Sequence, residues 1–238
     1  MESFLAKYRE EVEMICEVCH KLSENKYVTG QGGNLAQRVD DNLIIITPTQ
    51  MNKGDIMPED LVFISASGEQ LFGSRKMTGE APIYLNMFRK RPDVRSVLHC
   101  HLPYAGAFTL TKGKNWLERP FFPETVMEVG PVPLVPYETP LSEKLARQFD
   151  PYLDTHNAFL MENHGFIIVS PFSIRWAYSC TELLEQSAVS LLQALQLDPS
   201  GTKEIGREGL KELDEIMKKR NLPMFGRPGK NHSLTDVY

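Results

Sequence analysis

The chain has 238 residues, of which 42% are hydrophobic and 24% are charged, and its net charge is −5 at pH 7. This balance is typical of a globular domain and, without blocks of lysine and arginine, gives no electrostatic footprint for nucleic acid. No apolar run approaches the roughly 18 residues that span a bilayer, and the N-terminal residues lack the basic and apolar regions of a signal peptide. We therefore expect a cytoplasmic protein with one domain over residues 1–238 that ends in a tail from about residue 221.

The first predicted element is an N-terminal helix with one apolar side. Its apolar residues recur at helical spacing: Leu5, Tyr8, Val12, Ile15, Cys16, Cys19 and Leu22. The segment Cys16–His20 also matches a pattern for covalent haem attachment, which normally requires export. Since the chain shows no export signal, we interpret both cysteines as part of a buried stripe and expect free thiols.

A glycine-rich segment, Thr29–Asn34, follows this helix and precedes a predicted hairpin. The hairpin pairs Leu35–Val39 with the β-branched run Leu43–Thr47 around a polar turn. A dinucleotide-binding fingerprint follows a strand and opens a helix, whereas here a helix precedes the glycines and a strand follows them, which excludes a Rossmann assignment. The glycines form either a nest of N–H groups that binds an anion or a plain turn.

Glu80 is predicted to lie at or near the N-terminus of a helix. Two strand patterns, Leu61–Ile64 and Gln70–Phe72, precede it, and Thr78–Pro82 has the composition of a helix start with proline in the first turn. A carboxylate at this place is commonly stabilised by the helix N-terminus alone. Glu80 is therefore either a helix-end carboxylate or a functional one.

Three histidines have the spacing of a metal site. His99 and His101 follow the apolar run Val94–Leu98, and residues two apart on a strand share one face. His164 lies in a turn between two further apolar runs and would reach the same ion from a second hairpin. Three neutral imidazoles with an open fourth position suit a catalytic Zn²⁺, with Mn²⁺ or Co²⁺ as alternatives. The competing interpretation is that the histidines are solvated residues of a surface strand.

The C-terminal half is predicted to contain more helix. Two prolines place the strand 132–135 at a sheet edge, and a helical stretch near 141–149 follows it. The helix from Ile174 to Leu195 is apolar over an arc too wide for one sheet face, which favours a subunit contact. A charged helix over about 203–220 precedes the tail. These elements predict one α/β or α+β domain.

The motifs taken together resemble the class II aldolase/adducin family. They occur in the family's order and spacing: Gly33-Asn34, Ile46-Thr47-Pro48-Thr49, Glu80, His99-Cys100-His101, Pro136-Tyr137 and Asn163-His164-Gly165. The resemblance covers about residues 8–195. It implies a three-layer α/β/α fold around a largely antiparallel sheet, usually assembled as a cyclic homotetramer with sites at subunit boundaries.

The resemblance also implies a role for each matching residue. His99, His101 and His164 correspond to the zinc ligands, and Glu80 corresponds to the catalytic acid/base. The positions that match the family's substrate and phosphate site are Gly33, Asn34, Thr49, Gln50, Thr78 and Gly79. Epimerases of the family usually have Asp in place of this Glu, so Glu80 resembles the aldolase branch. Arg75 and Lys76, just upstream, would supply charge for an anion or are solvated loop cations.

Two departures from the family pattern concern proton transfer and the phosphate. Aldolases of the family usually carry two serines where this chain has Thr78-Gly79, and the segment Arg119–Val126 lacks their catalytic tyrosine. Glu124 in that segment is a possible replacement, or an exposed turn carboxylate. Tyr238 is a second candidate if the tail closes over the site through its hinge-like 225–229 segment; the alternative is a frayed terminus.

We expect a zinc-dependent aldolase that cleaves a small phosphorylated ketose by a retro-aldol reaction through a metal-stabilised enediolate. The alternatives are a metal-dependent decarboxylase of a phosphorylated 3-oxo sugar acid, which the segment around 119–137 also resembles, and a ribulose-phosphate 4-epimerase. The expected partners are a sugar phosphate or sugar acid phosphate and further copies of the chain, with neither nucleic acid nor membrane. A non-catalytic adducin-type role would not require the metal histidines that this chain carries.

Overall fold

The computed structural model describes residues 2–113 and 115–238. Its helices are α1 (Glu2–Lys7), α2 (Arg9–Glu24), α3 (Ala81–Lys90), α4 (Pro123–Glu128), α5 (Glu143–Gln148), α6 (Ile174–Leu197), α7 (Arg207–Arg220) and α8 (Leu234–Val237). Its strands are β1 (Asn34–Asp40), β2 (Leu43–Ile46), β3 (Val62–Ser65), β4 (Gln70–Phe72), β5 (Ser96–Cys100), β6 (Leu134–Val135), β7 (Ala158–Met161) and β8 (Gly165–Ser170). Short 3-10 helices add Lys53–Asp55, Pro58–Asp60, Ala105–Leu110 and Trp116–Glu118.

The strands form one open sheet in the order β4-β3-β2-β1-β5-β8-β7-β6. Neighbouring strands are antiparallel except β6 and β7, which are parallel. β6 is the edge strand that its prolines predict, but it is shorter than the predicted 132–135, since Pro133 has no N–H for a sheet hydrogen bond. β1 and β5 are paired with Asn34 opposite His99. This register brings the glycine-rich segment to the end of the histidine strand.

Both faces of the sheet are covered by helices, which confirms the predicted three-layer α/β/α fold. Successive strand residues such as Ile167 and Ile168 belong to opposite hydrophobic clusters, because strand side chains alternate between faces. One cluster packs against α2 and α6, and the other packs against α3 and α5. At one end of the sheet, Asn34 at the start of β1, His99 near the end of β5 and His164 just before β8 line a cavity.

Three helix boundaries differ from those predicted from the sequence, and local geometry explains each difference. The predicted N-terminal helix is divided between α1 and α2 at Tyr8, whose backbone (φ −114°, ψ 35°) leaves the helical region. The predicted stretch 141–149 becomes α5, which begins after Ser142 because the Ser142 Oγ accepts a hydrogen bond from the Leu145 N–H (3.1 Å). The predicted helix 203–220 begins later, at Arg207, and ends before Asn221, whose φ is +53°.

The wide apolar arc of α6 has partners within the chain. The helix contacts α2, α4, β5 and β8, so it is enclosed on more than one side. The one large apolar side chain of α6 that is exposed in the described structure is Leu197, at 87%, near the end of the helix. The arc therefore does not by itself require a subunit contact, and the homotetramer stays a prediction. Among the residues that the structure describes, no helix combines the length and apolarity of a membrane span.

Candidate metal centre

The three predicted metal ligands lie together at the end of β5. Val97 packs in the cluster that contains α3, so His99, two residues later on the same strand, faces that side as well. His101 follows just beyond the strand. The ring centroids of His99 and His101 are 4.9 Å apart, and those of His99 and His164 are also 4.9 Å apart. The sequence spacing thus produces the convergence that it predicted.

His164 reaches the other two histidines from the tight turn between β7 and β8. Asn163 in this turn has a φ of +54°, a left-handed conformation that asparagine tolerates better than most residues. A Cβ at position 165 would lie 2.7 Å from both the Cys100 carbonyl oxygen and the His101 Cδ2. Only glycine leaves enough room for β8 to start this close to His101.

The nitrogen atoms of the cluster are in the form that binds a metal. One ligand nitrogen from each histidine lies within 4.8 Å of the others, and the His99 and His101 Nε2 atoms are 3.2 Å apart. The His99 Nδ1 donates to the Phe166 carbonyl oxygen at 2.8 Å, which leaves a lone pair on Nε2. Burial lowers the pKa of His99 to about 3 and that of His164 to about 4, so both are neutral at pH 7. This donor set fits one divalent metal ion.

Glu80 precedes α3 and its carboxylate faces the histidines. Its Oε2 lies 3.6 Å from the His99 Nε2, and its Oε1 lies 3.6 Å from the His164 Nε2. The side chain makes no hydrogen bond to the N–H groups of α3, so it does not cap the helix that it precedes. Burial raises the pKa of Glu80.

Asn34 holds one oxygen of this carboxylate. Its Nδ2 donates to the Glu80 Oε2 at 2.6 Å. The Thr78 hydroxyl donates to the Asn34 Oδ1, and the Tyr84 hydroxyl donates to the Asn34 carbonyl oxygen at 3.0 Å. These contacts fix the direction of the Asn34 amide and leave the Glu80 Oε1 without a hydrogen bond from Asn34.

The predicted metal, catalytic and phosphate-binding residues all line one cavity of about 220 Å³. They are Gly33, Asn34, Thr49, Gln50, Thr78, Gly79, Glu80, His99, His101 and His164. The lining also contains Gln31, Gly32, Pro48 and Leu141, which sequence reasoning did not assign to the site. Gln31 and Gly32 could have been found from their place in the glycine-rich segment. Leu141 comes from a distant loop, and its sequence context carries no such signal.

The glycine-rich segment forms a turn that packs tightly against the site. The Gly32 N–H donates to the Thr29 carbonyl oxygen at 3.1 Å. Gly33 has a φ of +69°, and a Cβ there would lie 2.4 Å from the Val28 Cγ1 and 2.9 Å from the His99 carbonyl oxygen. A glycine is therefore required where the chain passes β5. Anion binding by this turn stays a prediction.

Some hydrogen-bond donors of the predicted phosphate site are already engaged within the protein. The Thr78 hydroxyl hydrogen is used by Asn34, and the Thr49 N–H donates to the Lys76 carbonyl oxygen at 3.0 Å. Arg75 forms an ion pair with Asp60 at 2.6 Å, and neither Arg75 nor Lys76 lines the cavity. Substrate groups would therefore meet the Thr49 hydroxyl and the Gln50 amide before these cations.

Glu124 and Tyr238 are not brought to the histidines of their own chain. Glu124 is exposed on α4, and Tyr238 lies in a separate pocket that also contains Phe121 and Thr125. The tail is folded: Leu234 is fully buried, and its N–H donates to the Asp214 Oδ1 at 2.7 Å. Packing of the tail within the chain accounts for its apolar character, and closure of the site by the tail stays a prediction. A role at the site of a neighbouring copy stays a prediction.

Residues 13–192 match the family described as Class II Aldolase and Adducin N-terminal domain. The 3-oxo-tetronate 4-phosphate decarboxylase of Haemophilus influenzae is 34% identical over 179 residues, which are 74% of this chain and 84% of that protein. The L-fuculose phosphate aldolase of Methanococcus maripaludis is 33% identical over 172 residues, which are 72% of this chain and 91% of that protein. The crystal structure of YgbL from Escherichia coli has 29% identity and a TM-score of 0.77, covering 85% of this chain and 96% of YgbL.

The mostly antiparallel sheet, its helical layers and the three-histidine cluster fit an enzyme of the class II aldolase superfamily. The chain belongs to the class II aldolase and adducin family, as its motifs predicted. Enzymes of this family are metal-dependent, and His99, His101 and His164 are the residues that would hold the ion in this chain.

Proposed function

We propose that this protein is a metal-dependent lyase that removes carbon dioxide from a small phosphorylated 3-oxo sugar acid. The observation that carries this proposal is the composition of the cavity. Among its described lining residues, Glu80 is the one acid–base group besides the three histidines, and the lining contains no tyrosine. Decarboxylation requires a single proton transfer to carbon, so one such group is enough. The name of the Haemophilus influenzae relative supports the same reaction.

The reaction creates negative charge that the site must stabilise. Loss of carbon dioxide beside a carbonyl group leaves the bonding electron pair as an enolate. A divalent ion held by the three histidines, for which we propose Zn²⁺, would act as a Lewis acid on a substrate oxygen and stabilise this charge.

The protein's own contribution is to hold a proton on Glu80. Asn34 donates to the Oε2, so the Oε1 is the atom available to carry a proton toward the substrate. Burial raises the pKa of Glu80, which increases the fraction that is protonated near neutral pH. Transfer of this proton to the enolate carbon completes the decarboxylation. The substrate phosphate would be bound by the Thr49 hydroxyl, the Gln50 amide and the Gly79 backbone.

Retro-aldol cleavage of a phosphorylated ketose is the second candidate. It is favoured by the glutamate at position 80 and by the aldolase from Methanococcus maripaludis among the relatives. This reaction removes a proton from a hydroxyl group and delivers another to carbon. The cavity of one chain offers Glu80 alone for both steps, so a group from a neighbouring copy would assist.

We also propose that the enzyme is a homotetramer of the kind its family predicts. Several large apolar side chains are exposed, among them Leu141 (63%), which lines the cavity, and Tyr104 (49%), Leu110 (69%) and Tyr137 (55%). Two of them flank the turn that carries His164, since Leu110 follows Thr109, which accepts a hydrogen bond from the Asn163 N–H, and the Tyr137 N–H donates to Glu162. Sedimentation at several concentrations tests this: a stable monomer would contradict it.

The reaction is tested with the zinc-loaded protein and three phosphorylated substrates. A 3-oxo-tetronate 4-phosphate should release carbon dioxide, whereas L-fuculose 1-phosphate should yield little aldehyde and ribulose 5-phosphate should not epimerise. Aldehyde release as the faster reaction would replace the first proposal by the second. No turnover of any substrate by protein that retains its metal would reject both.

A further inference from the structure

A buried lysine lies next to the residues that line the candidate site, on the side away from the cavity. Lys53 begins the 3-10 helix Lys53–Asp55, and only 1% of its surface is accessible. Its Nζ donates to the Met51 carbonyl oxygen at 2.8 Å and to the Gln31 carbonyl oxygen at 3.3 Å. Within the described ranges, no carboxylate forms an ion pair with it. A buried ammonium without an opposite charge is costly for the folded state, so its presence calls for a functional explanation.

Lys53 connects the two loops that form one side of the cavity. Gln31 lines the cavity, and Met51 directly follows Gln50, which lines it as well. Among the described lining residues there is no lysine or arginine, although the proposed substrate carries a phosphate. Arg75 is already paired with Asp60, which leaves Lys53 as the buried cation beside these loops.

The charge of Lys53 reaches the site. The Lys53 Nζ is hydrogen-bonded to the carbonyl oxygen of Gln31, a residue that lines the cavity, so one backbone segment separates the ammonium group from the cavity. Charges buried in protein interact more strongly than charges in water, and dissolved salt screens them less. An anion in the cavity would therefore be stabilised by this ammonium without touching it.

We propose that Lys53 is a specificity-determining residue that gives the cavity its preference for a doubly charged phosphate group. It acts by its charge from behind the loops. The inference rests on the proposed function for the statement that the natural substrate carries a phosphate. Its test uses inorganic phosphate and requires no turnover, so the two can fail separately.

The test compares metal-loaded parent protein with Lys53→Met and Lys53→Gln by titration calorimetry with inorganic phosphate. Methionine keeps the length of the side chain and removes its charge, and glutamine keeps a hydrogen-bond donor without the charge. Both variants should bind phosphate about tenfold more weakly, a difference of about 1.4 kcal/mol. Lys211→Met is the matched control, because it removes the same charge from the exposed surface of α7 and should leave phosphate binding unchanged.

Thermal unfolding separates this role from a structural one. Removal of an uncompensated buried charge should leave the Tm of Lys53→Met equal to that of the parent or raise it, with metal content unchanged. A lower Tm with unchanged phosphate affinity would overturn the proposal and make Lys53 a structural cation. Parent-like phosphate binding by Lys53→Gln would overturn it too, since the hydrogen bonds rather than the charge would then matter.

If neither neutral variant folds, a variant that keeps the positive charge is measured as well. Lys53→Arg should keep most of the phosphate affinity, because it keeps the charge. Phosphate that binds the metal alone would bind the parent and every variant equally, which would also overturn the proposal. If phosphate binding responds as expected but no phosphorylated substrate is turned over, the proposed function fails and the role of Lys53 stands.

Discussion

The two ends of α3 bury polar groups in opposite ways. At its C-terminal end, Arg91 is 1% accessible and its guanidinium is surrounded by acceptors: Asp93 at 2.7 Å, the Leu153 carbonyl at 2.9 Å and the Gly226 carbonyl at 2.7 Å. At its N-terminal end, Glu80 faces three converging imidazoles, and the His164 Nδ1 is buried without a hydrogen-bond partner among the described residues.

This difference separates a structural cluster from a functional one. Buried polar groups in folded proteins are normally paired, so the satisfied Arg91 cluster is what folding stability alone would produce. The incomplete pairing around Glu80 leaves capacity for a metal ion and a substrate. Substitutions at the Arg91 end should therefore change stability, and substitutions at the Glu80 end should change metal binding or turnover.

The largest expected effect is loss of the metal from His99→Ala and His164→Ala. Loss of a partner outside the coordination sphere typically costs 10–100-fold in metal affinity, and loss of a ligand should cost more than about 100-fold. Elemental analysis after gel filtration measures the bound metal. His20→Ala is the control, because His20 bonds to the Ile56 carbonyl outside the cavity and should keep the metal. Equal metal content in all variants would refute the assignment of the ligands.

Glu80→Gln should keep the metal and the fold but reduce kcat by about 10²–10⁴-fold, the usual contribution of a general acid or base. Glutamine has nearly the same shape and cannot carry the proton. Steady-state kinetics with zinc-loaded protein measures the effect, and Glu208→Gln on the exposed surface of α7 should match the parent. A variant that works within a few-fold of the parent rate would move the acid/base role to another residue, with Glu124 the next to test.

The sequence predicted features of this end of the molecule that depend on short segments, and it missed features that depend on contacts between segments far apart in the chain. Strand alternation and the glycines are local signals and predicted most of the strands, whereas the layers and the residues that line the cavity were predicted from the resemblance of the motifs to a known family. Leu141 and Lys53 were missed because their positions at and next to the cavity arise from packing between segments that are separated in the sequence. The position of the tail depends on similar long-range packing: its apolar residues indicated burial, and the structure shows that Leu234 packs against α7.

At the other end of α3, Arg91→Met should lower the free energy of unfolding by about 3–5 kcal/mol, the usual result of removing one partner of a buried ion pair. Asp93, three backbone carbonyls and the Asn157 side-chain oxygen would lose a donor. Denaturant unfolding measures the change, and the metal content of the folded protein should stay that of the parent. Arg89→Met, on the exposed side of the same helix, should change stability by no more than about 0.5 kcal/mol. Metal loss in folded Arg91→Met would show that the two ends are not independent.

The smallest effect is expected from a substitution that changes only the steric fit at Gly165. Gly165→Ala would place its Cβ 2.7 Å from the Cys100 carbonyl oxygen, so the start of β8 must move away from β5. Overpacking of this kind typically costs about 1–3 kcal/mol, and displacement of His164 should weaken metal binding as well. Gly106→Ala is the matched control, since a Cβ there meets nothing within 4 Å. Metal titration and thermal unfolding of both variants measure the two effects. If Gly165→Ala loses stability but binds metal like the parent, the turn can shift without moving His164, and the close approach of β8 serves packing rather than the metal.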